Sequence, residues 1–172
     1  HYLAVKSDIT ESKSQEEQIT YQAHFDALTG LPNRFLSLDR LTQSLLEARR
    51  RGRCAAVLFI DLDGFKKIND SLGHDAGDRI LVQTAERLSE AVRAEDTVGR
   101  LGGDEFLVLL GDISQPIEAR RVAEDIIDKF QAPFRQQGRD LIVTASIGIA
   151  VYPDDGMLPV ELLRHADMAM YE

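Results

Sequence analysis

The sequence has only one cysteine, Cys54, among 172 residues. No disulfide can form within the chain, a usage that fits a reducing compartment. It also lacks an excess of positive charge, since 20 Lys and Arg stand against 29 Asp and Glu for a formal net charge of −9. Sequence-independent binding to a duplex needs a basic face, so this balance argues against DNA as a partner. A small anionic ligand stays compatible, because a metal ion can offset acidic ligands locally. Long apolar runs are missing too: none reaches the roughly 18 residues of a membrane span. No secretory signal pattern opens the sequence. A cytoplasmic location is expected, and the parent protein could still be membrane-anchored.

What is present is a core. The hydrophobic fraction is 44% over 172 residues, enough for one full domain and short for two. The opening HYLAVKSDIT starts in mid-pattern, as in a piece of a longer protein. Residues 2–9 alternate roughly and read as the end of a strand. Residues 10–24 are polar with few apolar anchors and read as a linker helix. DALTGLPNR, at 26–34, is rich in turn residues. Phe35 to Arg51 follows with helical spacing at Phe35, Leu38, Leu41, Leu45 and Leu46. Residues 54–60 are continuously apolar, as in a strand covered on both faces. The pattern then predicts a short helix or turn over Gly64–Ser71 and an amphipathic helix over Gly77–Val92. Two short strands, Thr97–Arg100 and Phe106–Leu110, flank Gly102-Gly103. A helix over Pro116–Phe130, a strand over Leu141–Tyr152 and a helix over Val160–Tyr171 complete the order. The implied class is α/β or α+β, a sheet with helices on its faces.

Four constellations carry possible chemistry. In FIDLDGFKKIND an apolar strand delivers Asp61 and Asp63 at its C-terminal end, where open sheets place ligands. Carboxylates there suit Mg²⁺, although Asp-x-Asp by itself is a weak signal. A calcium EF-hand is excluded: the fifth loop position is Phe65, and glycine comes fourth, at Gly64. In VGRLGGDEFLVLL, Gly102 and Gly103 suit a tight hairpin, with Asp104 and Glu105 at the turn. A hairpin explains the glycines but needs neither acid. If it pairs beside the strand ending at Asp61, three carboxylates converge, at a cost that a cation would relieve. Two-metal sites of this kind serve phosphoryl and nucleotidyl transfer. Lys66 could meet a phosphate, and Asn69 and Asp78 could read the edge of a guanine; singly, each is ordinarily a solvated surface residue. Arg93 and Asp96, in RAED, form either a local pair at a helix end or an anion or guanine contact. Cys54 reads as inert, His74 as a structural residue in a turn, and Met168, Met170 and Tyr171 as helix packing.

These pieces, in order, resemble the GGDEF domain family of bacterial diguanylate cyclases. The matching stretches are DALTGLPNR at 26–34, DLDGFKKIND at 61–70, GHDAGD at 73–78, RAED at 93–96, RLGGDEF at 100–106, SIGIA at 146–150 and HADMAMYE at 165–172. The resemblance covers residues 22–172, and YLAVKSDITESK, within 1–21, resembles the last strand of a PAS sensor domain and its exit linker. It implies a palm-like central sheet flanked by helices, with the motif on a β-hairpin, as in nucleotidyl cyclases. It implies condensation of two GTP into cyclic di-GMP and two pyrophosphates by a homodimer with two Mg²⁺ or Mn²⁺ ions per site. Asp61, Asp104 and the Leu62 carbonyl would hold the ions, and Glu105 would support the hairpin. Asn69 and Asp78 would bind guanine, Phe65 (by its backbone) and Lys66 would meet phosphates, and Gly102-Gly103 would admit the nucleotide. Arg93 and Asp96 would form an inhibitory cyclic di-GMP site. An upstream PAS sensor is the implied neighbour, and the sequence leaves room for a phosphodiesterase domain downstream. In the family the last helix continues to a lysine and an arginine on the GTP phosphates. The sequence ends at Glu172, before both, and is expected to bind GTP more weakly. Two further readings stay open: a silent GTP-binding regulator of a phosphodiesterase, and a cyclic di-GMP receptor.

Overall fold

A computed structural model of the chain describes residues 2–172, with side chains from Ile9 onward. His1, first in the segment compared with a PAS domain, lies outside the described residues. Helix α1 spans Tyr2–His24. The strand end expected over 2–9 is therefore helical. The sequence offers the reason: no glycine or proline interrupts residues 1–24, and Val5 and Ile9 stand at helical spacing. The helix is exposed along 9–23. Among the described residues no helix is long and apolar enough to cross a membrane.

Helix α2 (Arg34–Arg51) starts where the Asn33 side chain accepts the Leu36 N–H at 3.0 Å. It stops at Gly52, whose φ of 63° ends the helix in the left-handed region. The expected apolar stripe is only partly inward: Leu41 and Leu45 are buried, whereas Phe35 and Leu46 face out. Strand β1 (Cys54–Leu62), helix α3 (Phe65–Leu72) and helix α4 (His74–Ala91) follow. Gly73, at φ 88°, separates the two helices, so His74 opens α4 and does not lie in a turn. Strands β2 (Thr97–Gly102) and β3 (Glu105–Ile113) form the hairpin, and helix α5 covers Ile117–Gln131.

A second, small hairpin of β4 (Phe134–Gln136) and β5 (Arg139–Leu141) precedes β6 (Ala145–Tyr152). Leu141 therefore closes β5, and β6 begins later than its sequence pattern implies. The hairpin turns through Gln137 and Gly138, both at positive φ, 51° and 74°. Helix α6 (Pro159–Met170) completes the chain.

The main sheet runs β2-β3-β1-β6, and all its pairings are antiparallel. The alternation of side chains along a strand then splits β1 between two cores. Ala56, Leu58, Ile60 and Leu62 pack with α3, α4 and α5 on one face. Ala55, Val57 and Phe59 pack with α2 and α6 on the other. Burial on both faces explains the unbroken apolar run. Full burial of each large side chain contributes roughly 1.5–3 kcal/mol. The observed class is mixed α+β, a central antiparallel sheet flanked by helices. On the α6 side the fit is close: a Cβ on Gly148 would lie 1.8 Å from the Ala166 carbonyl oxygen. Met170 packs there, half-buried, but Met168 and Tyr171 are 57% and 76% exposed and are not packing residues.

Candidate active site

Strand β1 brings Asp61 to its C-terminal end, directly opposite Glu105 on β3 and Ser146 on β6. Between β2 and β3 the chain turns through Gly103 and Asp104, with Gly102 paired to Glu105. Gly102 and Gly103 take φ of 142° and 51°, where a side chain would be strained. A Cβ at either would meet nothing within 4 Å, so the glycines answer to backbone conformation and leave open space beside it. The tip is tied to β1 by the Leu62 N–H, which donates to the Asp104 carbonyl at 3.3 Å.

Of the three carboxylates expected to converge, two are in contact. The Asp104 carboxyl lies against that of Asp61, with Glu105 and Asp63 adding negative charge. Burial first, then the contact with Asp104 and the three neighbouring charges, pushes Asp61 up to about 7. Its Oδ1 is buried and has no hydrogen-bond partner. A buried acceptor without a donor, inside a cluster of like charge, fits a divalent cation. Among the described residues no three His, Cys, Asp or Glu side chains are grouped to hold a metal by themselves. Mg²⁺ does not need that many, since one or two carboxylates plus substrate phosphates usually suffice.

Asp63 has a different place. Its two oxygens accept the hydroxyls of Thr144 and Ser146, each at 2.6 Å, and its N–H donates to the Thr144 carbonyl at 2.9 Å. It latches the end of β1 to β6. The adjacent α3–α4 corner holds the remaining candidates. Phe65 is buried and Lys66 exposed. The Asn69 Oδ1 is buried without a partner and lies over Gly77, where a Cβ would approach it to 1.8 Å. That contact accounts for a glycine inside α4, a position where it costs about 1 kcal/mol relative to alanine. Asp78, exposed, follows Gly77.

Arg93 and Asp96 line a separate cavity of about 630 Å³. Asp96 accepts the Arg93 backbone N–H at 3.0 Å, while the Arg93 guanidinium lies 4.0 Å from Glu118. The side chains of the two therefore do not pair. Burial raises Asp96 above the ordinary carboxylate range, and the contacts with Arg93 only partly offset it. Glu118, Arg121 and Asp125 of α5 complete the polar lining. Sequence reasoning missed these three, although their spacing places them on one helix face. It also missed the partners of Arg100, which bridges the motif hairpin to Asp26. Cys54 is a free, half-buried thiol at the start of β1.

Comparison with known proteins identifies the family and matches the fold. Residues 23–172 match the family described as "Diguanylate cyclase, GGDEF domain". The chain is 46% identical over 160 residues to the diguanylate cyclase TpbB of Pseudomonas aeruginosa PAO1, covering 92% of this chain and 37% of that protein. It is also 46% identical over 160 residues to MucR of the same organism, a bifunctional diguanylate cyclase/cyclic di-GMP phosphodiesterase, covering 93% of this chain and 23% of MucR. The chain thus spans well under half the length of these relatives. A solved structure of TpbB (YfiN) comprising only the GGDEF domain superposes with a TM-score of 0.84 at 48% identity, covering 86% of this chain and 87% of that one. The coiled coil and GGDEF domain of DgcB from Caulobacter crescentus, at 22% identity, shares the fold over 99% of this chain with a TM-score of 0.84. The chain belongs to the diguanylate cyclase GGDEF domain family.

Proposed function

We propose that this chain is a diguanylate cyclase domain that joins two GTP molecules into cyclic di-GMP and releases two pyrophosphates. In each half-reaction a 3′-hydroxyl attacks the α-phosphorus of the other nucleotide, and the bond to pyrophosphate breaks. The observation that carries the reading is the Asp61–Asp104 pair, with its buried, unpartnered Oδ1. Asp61, Asp104 and the Leu62 carbonyl are the ligands for two Mg²⁺ or Mn²⁺ ions, and Glu105 supports the hairpin beside them. Bound there, the ions would polarise the α-phosphate and ease loss of the hydroxyl proton. Asn69 and Asp78 take the guanine edge. Lys66 and the Phe65 backbone meet the phosphates, and Gly102-Gly103 leave the nucleotide room to approach.

One domain holds one GTP, so catalysis needs two domains face to face, and a homodimer is part of the reaction. GTP as substrate implies a cytoplasmic location. Arg93 and Asp96, lining the cavity beside α5, supply a product site and hence feedback inhibition. A sensor domain upstream is its proposed neighbour in the parent chain; a phosphodiesterase domain downstream belongs to the alternative reading as a regulator, which the bifunctional name of MucR supports.

The test is to incubate the purified chain, at concentrations that populate dimers, with GTP and Mg²⁺. Cyclic di-GMP should accumulate as GTP is consumed. Tight GTP binding without any cyclic di-GMP would favour a silent regulatory domain instead.

A further inference from the structure

Arg100 spends its guanidinium on two distant pieces of the fold. Its Nε and Nη2 donate to the Gly103 carbonyl at 3.0 and 2.8 Å. Its Nη1 donates to both Asp26 oxygens, at 3.0 and 3.1 Å. Both side chains are largely sequestered, 13% exposed for Arg100 and 21% for Asp26. Asp26 is in turn fixed by Thr29, whose N–H and hydroxyl donate to it at 2.9 and 2.7 Å. Burial would raise the Asp26 carboxyl, but the hydrogen bonds from Thr29 and Arg100 and the Arg100 charge outweigh it and hold the acid below its ordinary value. The hydrogen bonds between the two side chains are charge-assisted.

The surrounding backbone is closely fitted. The Arg100 N–H donates to the Pro32 carbonyl at 3.0 Å. A Cβ on Gly99 would come within 2.1 Å of the Ser37 hydroxyl, so β2 lies directly on the start of α2. Asn33 ties the same turn to the end of α1, its N–H donating to the His24 carbonyl at 2.8 Å and its Nδ2 to the Ala23 carbonyl at 3.0 Å.

The hairpin needs such an anchor. Two consecutive glycines give its tip more accessible conformations than any other residue pair would. Gly103 immediately precedes Asp104, and the Asp104 carbonyl is held from the other side by the Leu62 N–H. We propose that Arg100 is a positioning residue for the Asp104 carboxylate: it clamps the Gly103 carbonyl, and Asp26 fixes the clamp to the turn that follows α1. As a statement about turnover this rests on the cyclase reading; as a statement about the hairpin it does not. A lysine cannot replace the arginine fully, because it lacks the planar set of donors that serves both partners at once.

The experiment uses the whole chain, as wild type, Arg100→Gln and Asp26→Asn. It reads hydrogen exchange at the Gly103, Asp104 and Glu105 amides and titrates Mn²⁺. Loss of hydrogen bonds to a charged group predicts exchange faster by about tenfold or more at the hairpin and Mn²⁺ affinity weaker by about tenfold, with the central β1 amides unchanged. Turnover should show kcat reduced by about tenfold with KM for GTP little altered, since the guanine contacts are elsewhere. Unchanged exchange and Mn²⁺ affinity in folded Arg100→Gln would overturn the proposal. If that variant does not fold, Asp26→Asn carries the same two outcomes. A wild type without turnover whose variants still loosen the hairpin refutes the cyclase reading alone; turnover with an indifferent hairpin refutes the clamp alone.

Discussion

Replacing Asp61 with asparagine should stabilise the metal-free fold at neutral pH. The native carboxyl is pushed up to about 7 from 3.8 by burial, by Asp104 against it and by the neighbouring charges. The folded state therefore holds the Asp61 proton more tightly than the unfolded chain does. As pH rises from about 4 to about 7, the unfolded chain releases this proton first, and the native state loses stability through that window. At 1.36 kcal/mol per unit the full penalty above the window is about 4 kcal/mol. The side chain is only half-buried, so solvent screening reduces this to about 1–2 kcal/mol. For a chain of this size that corresponds to about 3–6 °C in Tm. The Asp61→Asn substitution removes the ionisation and with it the slope. Thermal unfolding across pH 4 to 8, with and without Mn²⁺, measures both effects. Asp61→Asn should gain on wild type as pH rises and should lose most of the stabilisation that Mn²⁺ gives wild type. Parallel curves for the two proteins, with equal Mn²⁺ shifts, would refute the electrostatic account of this site.

Gly77→Ala places a Cβ 1.8 Å from the Asn69 Oδ1. It should leave circular dichroism unchanged while weakening GTP binding by about tenfold, the scale of one displaced hydrogen-bonding group, as read by calorimetry. Gly148→Ala meets the Ala166 carbonyl oxygen at 1.8 Å and the Met170 nitrogen at 2.6 Å, both backbone atoms that cannot turn aside. Denaturant unfolding should show a loss of about 1–3 kcal/mol as α6 is pushed off the sheet. Arg93→Ala should reduce cyclic di-GMP affinity at the cavity beside α5, measured by calorimetry, with GTP binding retained; equal product affinity would show that this site is not used.

Local chemistry made much of the site legible. The apolar run 54–60, closed by Asp61, announced a central strand with an acid at its end, and paired glycines before paired acids announced the hairpin. Their adjacency was an inference from order, and the Asp61–Glu105 register realises it. Other features depend on partners remote in sequence. Asp63 looked equivalent to Asp61 until Thr144 and Ser146 claimed its oxygens. Arg100 and Asp26, 74 residues apart, carry no shared local pattern. The β4–β5 hairpin has strands of three residues each, too short for alternation to register. Over residues 2–9 a rough alternation suggests a strand, but no helix-breaking residue interrupts the segment and the helix prevails.

The central claim is that the Asp61–Asp104 pair serves nucleotide condensation. It is tested most directly by following cyclic di-GMP formation from GTP and Mg²⁺ with wild type and Asp104→Ala side by side, both verified as folded. Wild type should give product and Asp104→Ala should lose at least about a hundredfold, in keeping with removal of a ligand for the ions that would stabilise charge in the transition state. Undiminished product from Asp104→Ala would contradict the claim.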